Sequence, residues 1–174
     1  MGPARDKRTT LGLLAVGLLV AGIPAWLTLD DKCPALTIVP SSGGSIDVPM
    51  LTGYSAFITE HVISTGGSFA VSDWEPFLQA YPIGALGAIG LVPVFVLVSA
   101  AIEAARTTTL TAAAVLSAAG VIASIVYALR LQGFANQNTL TATEVNVGRC
   151  AAPTLFAGAL LTQLALLVGV RYAP

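Results

Sequence analysis

The two cysteines are the residues whose type and spacing point most directly to chemistry. Cys33 lies four residues beyond the first long apolar segment of the chain, and Cys150 lies four residues before the last one. If both segments cross a membrane, the two thiols lie near the same membrane face. Disulfides persist on oxidising faces, so we favour a structural Cys33–Cys150 bridge over an unpaired buried couple. A redox-active pair would normally have Cys-x-x-Cys spacing, which is absent.

Other residue types that bind cofactors or catalyse reactions are sparse. His61 is the only histidine, whereas haem b ligation usually needs two and a zinc site needs three or four ligands. The sequence contains no GxSxG elbow, Walker A loop, HExxH motif or dinucleotide fingerprint. We therefore predict a protein that is not an enzyme and that has no metal or cofactor site.

The long apolar segments have polar residues but no charge at their centres. Gln163 lies near the middle of the fourth segment and Ser117 near the middle of the third. Ion-coupled transporters, proton relays and voltage sensors generally place ionisable residues at that depth. Hydrogen bonding between helices is the expected role of these polar residues, with quinone or lipid binding as the alternative for Gln163.

Small residues recur in these segments at a spacing that lets helices approach closely. Such spacing predicts tight packing, but it does not distinguish a neighbouring span from a second protein. The predicted packing residues are Gly84, Gly87, Ala88, Gly90, Ala113, Ser117, Gly120, Ser124 and Gln163.

The composition of the chain indicates what surrounds these residues. Hydrophobic residues make up 55% of the 174 residues and charged residues only 10%, with a mean hydropathy of +0.82. Soluble domains have about 25% charged residues. Eight Lys+Arg against nine Asp+Glu exclude the basic footprint of a nucleic-acid-binding protein. The predicted partner of the chain is a lipid bilayer.

Four segments approach the length of about 20 residues that a membrane-spanning helix needs. They are 11–29, 83–102, 110–129 and 154–170. Because they are continuously apolar rather than alternating, helices are preferred over a barrel. We predict an all-α bundle of four transmembrane helices, forming a single domain over 1–174. The first segment is too long for a typical signal peptide, so we expect it to be retained. Trp26, Trp74 and Tyr81 are the predicted interfacial anchors.

Charge distribution predicts the orientation of the bundle. With the N-terminus in the cytoplasm, the inner face has a net charge of +3 and the outer face −4. Because positive residues concentrate on the cytoplasmic side, both termini are predicted inside. The larger segments, 30–82 and 130–153, then lie outside, in an expected prokaryotic cell membrane.

These outer segments have the patterns of a small folded cap. Residues 36–39 and 46–50 read as strands on either side of a Gly- and Ser-rich turn, and 139–147 alternates like a third strand. Apolar residues between 51 and 63 recur at helical spacing. The sequence therefore predicts an extracytoplasmic, β-containing cap with one short helix.

The order of spans, with a large first and a smaller second outer segment, resembles that of claudin-like tetraspan proteins in topology. Their first outer loop contains a cysteine pair, whereas this one contains Cys33 alone, so no family is assigned. The leading hypothesis is a non-catalytic accessory subunit of a larger membrane complex, docked through its small-residue helix faces and its cap. A self-assembling tetraspan that forms a pore or adhesive array is the alternative. A cofactor- or quinone-associated component of a membrane enzyme is the second alternative.

Overall fold

Four helices dominate the described part of the chain. The computed structural model describes residues 3–27, 34–39, 44, 46–49, 75–139, 144–147 and 152–172. The helices are α1 (Pro3–Leu27), α2 (Glu75–Ala101), α3 (Arg106–Thr139) and α4 (Ala152–Tyr172). Three short strands lie between helices. β1 (Pro34–Val39) and β2 (Ile46–Pro49) lie between α1 and α2, and β3 (Glu144–Val147) lies between α3 and α4.

Three of the helices are long and apolar enough to cross a membrane. The qualifying stretches are Lys7–Trp26, Ala80–Ala101 and Glu103–Gly133, and α4 contains a shorter apolar stretch, Phe156–Gly169. Large apolar side chains are exposed on all four helices, among them Leu13, Leu91, Val115 and Leu161. A helix that is apolar around its circumference needs either protein or lipid on every side.

Each helix extends beyond the segment predicted from hydropathy. The third is the clearest case, because α3 continues to Thr139 whereas its predicted span ends at 129. Hydropathy marks only the stretch that hydrocarbon tolerates, while backbone hydrogen bonding continues through polar residues. Gln132 and Asn136, for instance, remain helical and are joined by a side-chain hydrogen bond of 2.9 Å.

The connection between α2 and α3 is tight. Ile102 is extended (φ −116°, ψ 101°) and is followed by one turn of 3₁₀ helix, Glu103–Ala105. The Arg106 guanidinium lies 3.4 Å from the Ser99 carbonyl oxygen and 3.4 Å from Glu103 Oε1. These contacts tie the end of α2 to the beginning of α3.

The strands form one antiparallel sheet in the order β2-β1-β3. Leu36 pairs with Val48 on one side and with Val147 on the other. Gly44, in the connection between β1 and β2, has φ +92°, a conformation that a residue without Cβ adopts readily. β1 and β2 occur where the sequence predicts them. β3 covers only the last part of the predicted strand 139–147, because Thr139 still belongs to α3. The predicted helix within 51–63 lies outside the described residues.

The contacts divide the chain into two compact units. One comprises residues 1–26, 85–123 and 155–174, and the other 27–84 and 124–154. The first unit contains a buried apolar cluster to which all four helices contribute. Its members include Leu11 from α1, Val96 from α2, Ala113 from α3 and Leu167 from α4.

Candidate functional site

The most connected polar side chain in the first unit is Gln163, at the middle of α4. It is fully buried, and its Nε2 donates to the carbonyl oxygens of Leu18 (3.2 Å) and Ile89 (3.1 Å). One amide therefore links α4 to both α1 and α2.

The Ile89 carbonyl needs a partner from outside its own helix. In an α-helix it would accept a hydrogen bond from the backbone N–H four residues later, but that residue is Pro93, which has none. Prolines are tolerated in membrane helices where a neighbour satisfies the freed backbone group. Gln163 supplies that neighbour, so Pro93 and Gln163 form a matched pair on two helices.

The other atom of the same amide has no such partner. Gln163 Oε1 is buried and has no hydrogen-bond donor in the part of the chain that the structure describes. The amide is nevertheless fixed in this orientation, because turning it round would point Oε1 at two acceptors. An unpaired buried acceptor costs about 1–3 kcal/mol, which offsets part of what the two bonds contribute.

Two glycines lie at close approaches between helices of the first unit. A Cβ placed on Gly22 of α1 would lie 2.7 Å from Cγ2 of Ile89, and one on Gly120 of α3 would lie 2.7 Å from Cδ1 of Leu160. A Cβ placed on Gly90 would lie 3.4 Å from Cζ2 of Trp26. These two positions, Gly22 and Gly120, are called the closed seam.

Gly84 and Gly87 of α2 are different, because both are exposed and no side chain or other helix lies within 4 Å of where a Cβ would be. Leu91 and Val94, which are 50% and 48% exposed, continue the same face at helical spacing. These four residues are called the open face of α2. It combines small residues, which allow close approach, with an apolar surface that nothing described in the chain covers.

A second exposed small-residue stripe lies on α4 and was missed in the sequence analysis. Gly158, Thr162, Ala165 and Gly169 are all exposed, and a Cβ at either glycine would meet nothing within 4 Å. The Thr162 hydroxyl donates to the Gly158 carbonyl of its own helix at 2.8 Å. The four residues recur at the spacing of one helix face, and this spacing could have identified the stripe from the sequence.

The second unit contains a buried aromatic cluster. Tyr81 stacks on Tyr127 with ring centroids 4.3 Å apart, and its hydroxyl donates to Ser124 Oγ at 2.6 Å. Phe77 lies beside both rings, 5.9 Å and 6.4 Å away. Tyr81, predicted as an interfacial anchor, thus has its hydroxyl bonded inside the protein. Its depth relative to the lipid interface stays a prediction.

The remaining predicted packing residues are buried. Ala88, Ala113 and Ser117 are at most 7% exposed, and Ser117 donates its hydroxyl proton to the Ala113 carbonyl of its own helix at 3.0 Å. Ser117 therefore packs between helices without bonding across them. Trp26 is 45% exposed.

Three predicted site residues lie outside the described residues: Cys33, Cys150 and Trp74. Among the described residues, no group of three or more His, Cys, Asp or Glu side chains is placed to hold a metal ion. The functionally suggestive features are therefore packing surfaces and buried polar contacts.

Comparison with protein-family models, with curated proteins and with solved structures finds no match for this chain.

Proposed function

We propose that this chain is a non-catalytic accessory subunit of a larger membrane complex. Its four helices form a transmembrane bundle, and the subunit docks against a partner helix through the open face of α2. The observation that supports this docking surface most strongly is that Gly84 and Gly87 are exposed and have open space where a side chain would be. A glycine inside a helix costs roughly 1 kcal/mol relative to alanine, so a close-packed partner gives these two positions a physical role.

The outer surfaces of α2 and α3 differ in a way that favours α2 over α3 for docking. On α3 the exposed surface carries large side chains, including Val115, Ile122 and Ile125, which are 53–63% exposed. Large apolar side chains fill space against fluid lipid. Small residues instead let two backbones approach, which is the usual basis of association between membrane helices.

The proposed orientation places both termini in the cytoplasm and residues 30–82 and 130–153 outside. The sheet that joins β1 to β2 and β3 then forms the centre of an extracytoplasmic cap. β1 lies in the proposed outer segment 30–82, and β3 lies in the proposed outer segment 130–153. Because these two strands pair, they join the two outer segments. The cap is proposed as a second docking surface.

The register of the sheet supports the proposed disulfide bridge. β1 and β3 are antiparallel, with Leu36 opposite Val147. Cys33 precedes Leu36 by three residues and Cys150 follows Val147 by three, so the two cysteines are equally distant along the chain from a directly paired position. A disulfide needs its two Cα atoms about 4.4–6.8 Å apart, so matched distances from a paired position favour the bridge.

Purification from native membranes in a mild detergent, followed by mass spectrometry of everything retained, tests the proposed function. The expected result is one or more foreign membrane polypeptides in fixed ratio to the chain. The double variant G84L/G87L should lose them, because each leucine fills the space that the partner helix needs. The matched control is Ala119→Leu, which places the same side chain on the exposed surface of α3.

Three results would contradict this proposal. A chain that purifies alone has no partner to dock with. A ladder of homo-oligomers would instead support the self-assembling tetraspan. Retention of the foreign polypeptides by G84L/G87L would show that docking uses another surface.

A further inference from the structure

One end of the first unit collects basic residues from two helices. The buried apolar cluster joins Leu11 near the beginning of α1, Val96 near the end of α2, Ala113 near the beginning of α3 and Leu167 near the end of α4. These four helix ends therefore lie together. The basic residues at this end, which are called the basic end, are Lys7, Arg8 and Arg106.

The basic end follows directly from the register of the helices. Lys7 precedes Leu11 by one helical turn. Arg106 precedes Leu110, which packs against the same cluster, by one turn. The Cα atoms of Lys7 and Arg106 are thus each about 6 Å along the helix axis from the shared apolar core.

Little negative charge offsets this end. Lys7 and Arg8 are exposed, and in the described part of the chain neither forms an ion pair with a carboxylate. Glu103 lies 3.4 Å from Arg106 Nη1, but its side chain is 72% exposed and such pairs contribute little in water. Arg5 and Asp6, in the same helix as Lys7, cancel each other in formal charge.

The same residues border the apolar stretches of their helices. Lys7 begins one membrane-length stretch, and Arg106 lies near the beginning of another. Charges at that position lie level with lipid headgroups, where basic residues attract acidic phospholipids. An arginine guanidinium also matches two phosphate oxygens at once.

We propose that the basic end binds the phosphate groups of acidic phospholipids. Lys7 and Arg8 supply exposed charge, while Arg106 is held in place by its contacts with Ser99 and Glu103. The proposal depends on the membrane location of the chain but not on the partner that docks on α2. It can therefore fail while the proposed subunit role stands, and the reverse.

Native mass spectrometry of the purified full-length chain in an uncharged detergent tests this proposal. Phosphatidylglycerol and phosphatidylcholine are titrated separately, and the dissociation constant of the first bound lipid is measured. We expect phosphatidylglycerol to bind at least ten-fold more tightly. Because a surface Lys or Arg contributes about five-fold in affinity for an acidic headgroup, K7Q/R8Q should weaken this binding roughly 25-fold.

Arg106→Gln should weaken phosphatidylglycerol binding about five-fold. If that variant fails to fold, K7Q/R8Q decides the matter, because both of its side chains are exposed. Arg130→Gln, which neutralises a basic residue near the other end of α3, should leave the affinity unchanged.

Equal binding of the two lipids would overturn the proposal, as would unchanged binding by K7Q/R8Q. Inorganic phosphate at the same concentration separates a lipid site from a site for the free anion. It should not displace phosphatidylglycerol, and complete displacement would contradict a lipid-binding surface.

Discussion

Two sets of glycines in this chain have the same residue type and opposite surroundings. At the closed seam, Gly22 and Gly120 each face a side chain that an added Cβ would meet at 2.7 Å. On the open face of α2, Gly84 and Gly87 face nothing within 4 Å. The seam is therefore needed by the folded chain itself, whereas the open face is available to something else. The difference separates residues that stabilise the folded chain from residues that the proposed function assigns to contact with a partner.

Leucine at the closed seam should have the largest effect on the isolated chain. Gly22→Leu forces a side chain into the space of Ile89 and should lower the free energy of unfolding by about 3 kcal/mol. Reversible unfolding of the purified chain in mixed micelles measures this change. Gly17→Leu, on the same helix with open space at Cβ, is the control and should change stability by less than about 1 kcal/mol. Similar losses from both would mean that α1 is not packed at Gly22 as described.

The next largest effect is expected at the Gln163–Pro93 pair. Gln163→Leu leaves the Ile89 carbonyl without a donor and should lower the free energy of unfolding by about 2 kcal/mol. In a Pro93→Ala background the backbone N–H returns, so the same substitution should cost about 1 kcal/mol less. A double-mutant cycle by the same unfolding assay measures this coupling. Strict additivity would contradict the matched pair.

A smaller loss is expected in the aromatic cluster. Tyr81→Phe removes the 2.6 Å hydrogen bond to Ser124 and should lower the free energy of unfolding by about 1 kcal/mol. Ser117→Ala is the matched control, because its hydroxyl bonds only within its own helix, and it should cost less. An equal or larger loss for Ser117→Ala would mean that the bond between helices contributes no more than one within a helix.

The smallest effect is a gain. Gly84→Ala and Gly87→Ala should each raise the stability of the isolated chain by up to about 1 kcal/mol, because alanine favours the helix and meets no neighbour. Gly22→Ala should instead lower it, since its Cβ collides with Ile89. Thermal unfolding of the three variants side by side gives the signs. A loss for Gly84→Ala would place a neighbour against the open face within the chain itself.

Much of the helical architecture could be predicted from the sequence, because the hydropathy of a segment indicates directly whether lipid or water suits it. The strand positions were also predictable, since alternation and turn residues are local signals. Helix ends were less predictable. Arg106 and Thr139 bound a helix that hydropathy alone places at 110–129, because backbone bonding does not depend on the polarity of side chains.

The packing contacts were only partly predictable. Small-residue spacing pointed to Gly120 and Gly84 alike, and only the structure distinguishes the closed position from the open one. Gly22 was missed because its partner, Ile89, is far away in sequence. The link between Gln163 and Pro93 depends on which helices are neighbours, and no local pattern carries that information.

Disulfide cross-linking in native membranes tests directly whether the open face of α2 contacts a partner. Single cysteines replace Gly87 and, as the control, Val115 on the exposed surface of α3, in a background where Cys33 and Cys150 are serine. Oxidation should join the Gly87→Cys chain to one foreign polypeptide, which mass spectrometry identifies. The Val115→Cys chain should stay unlinked. Equal cross-linking at both positions, or none at Gly87→Cys, would contradict a partner contact at this face.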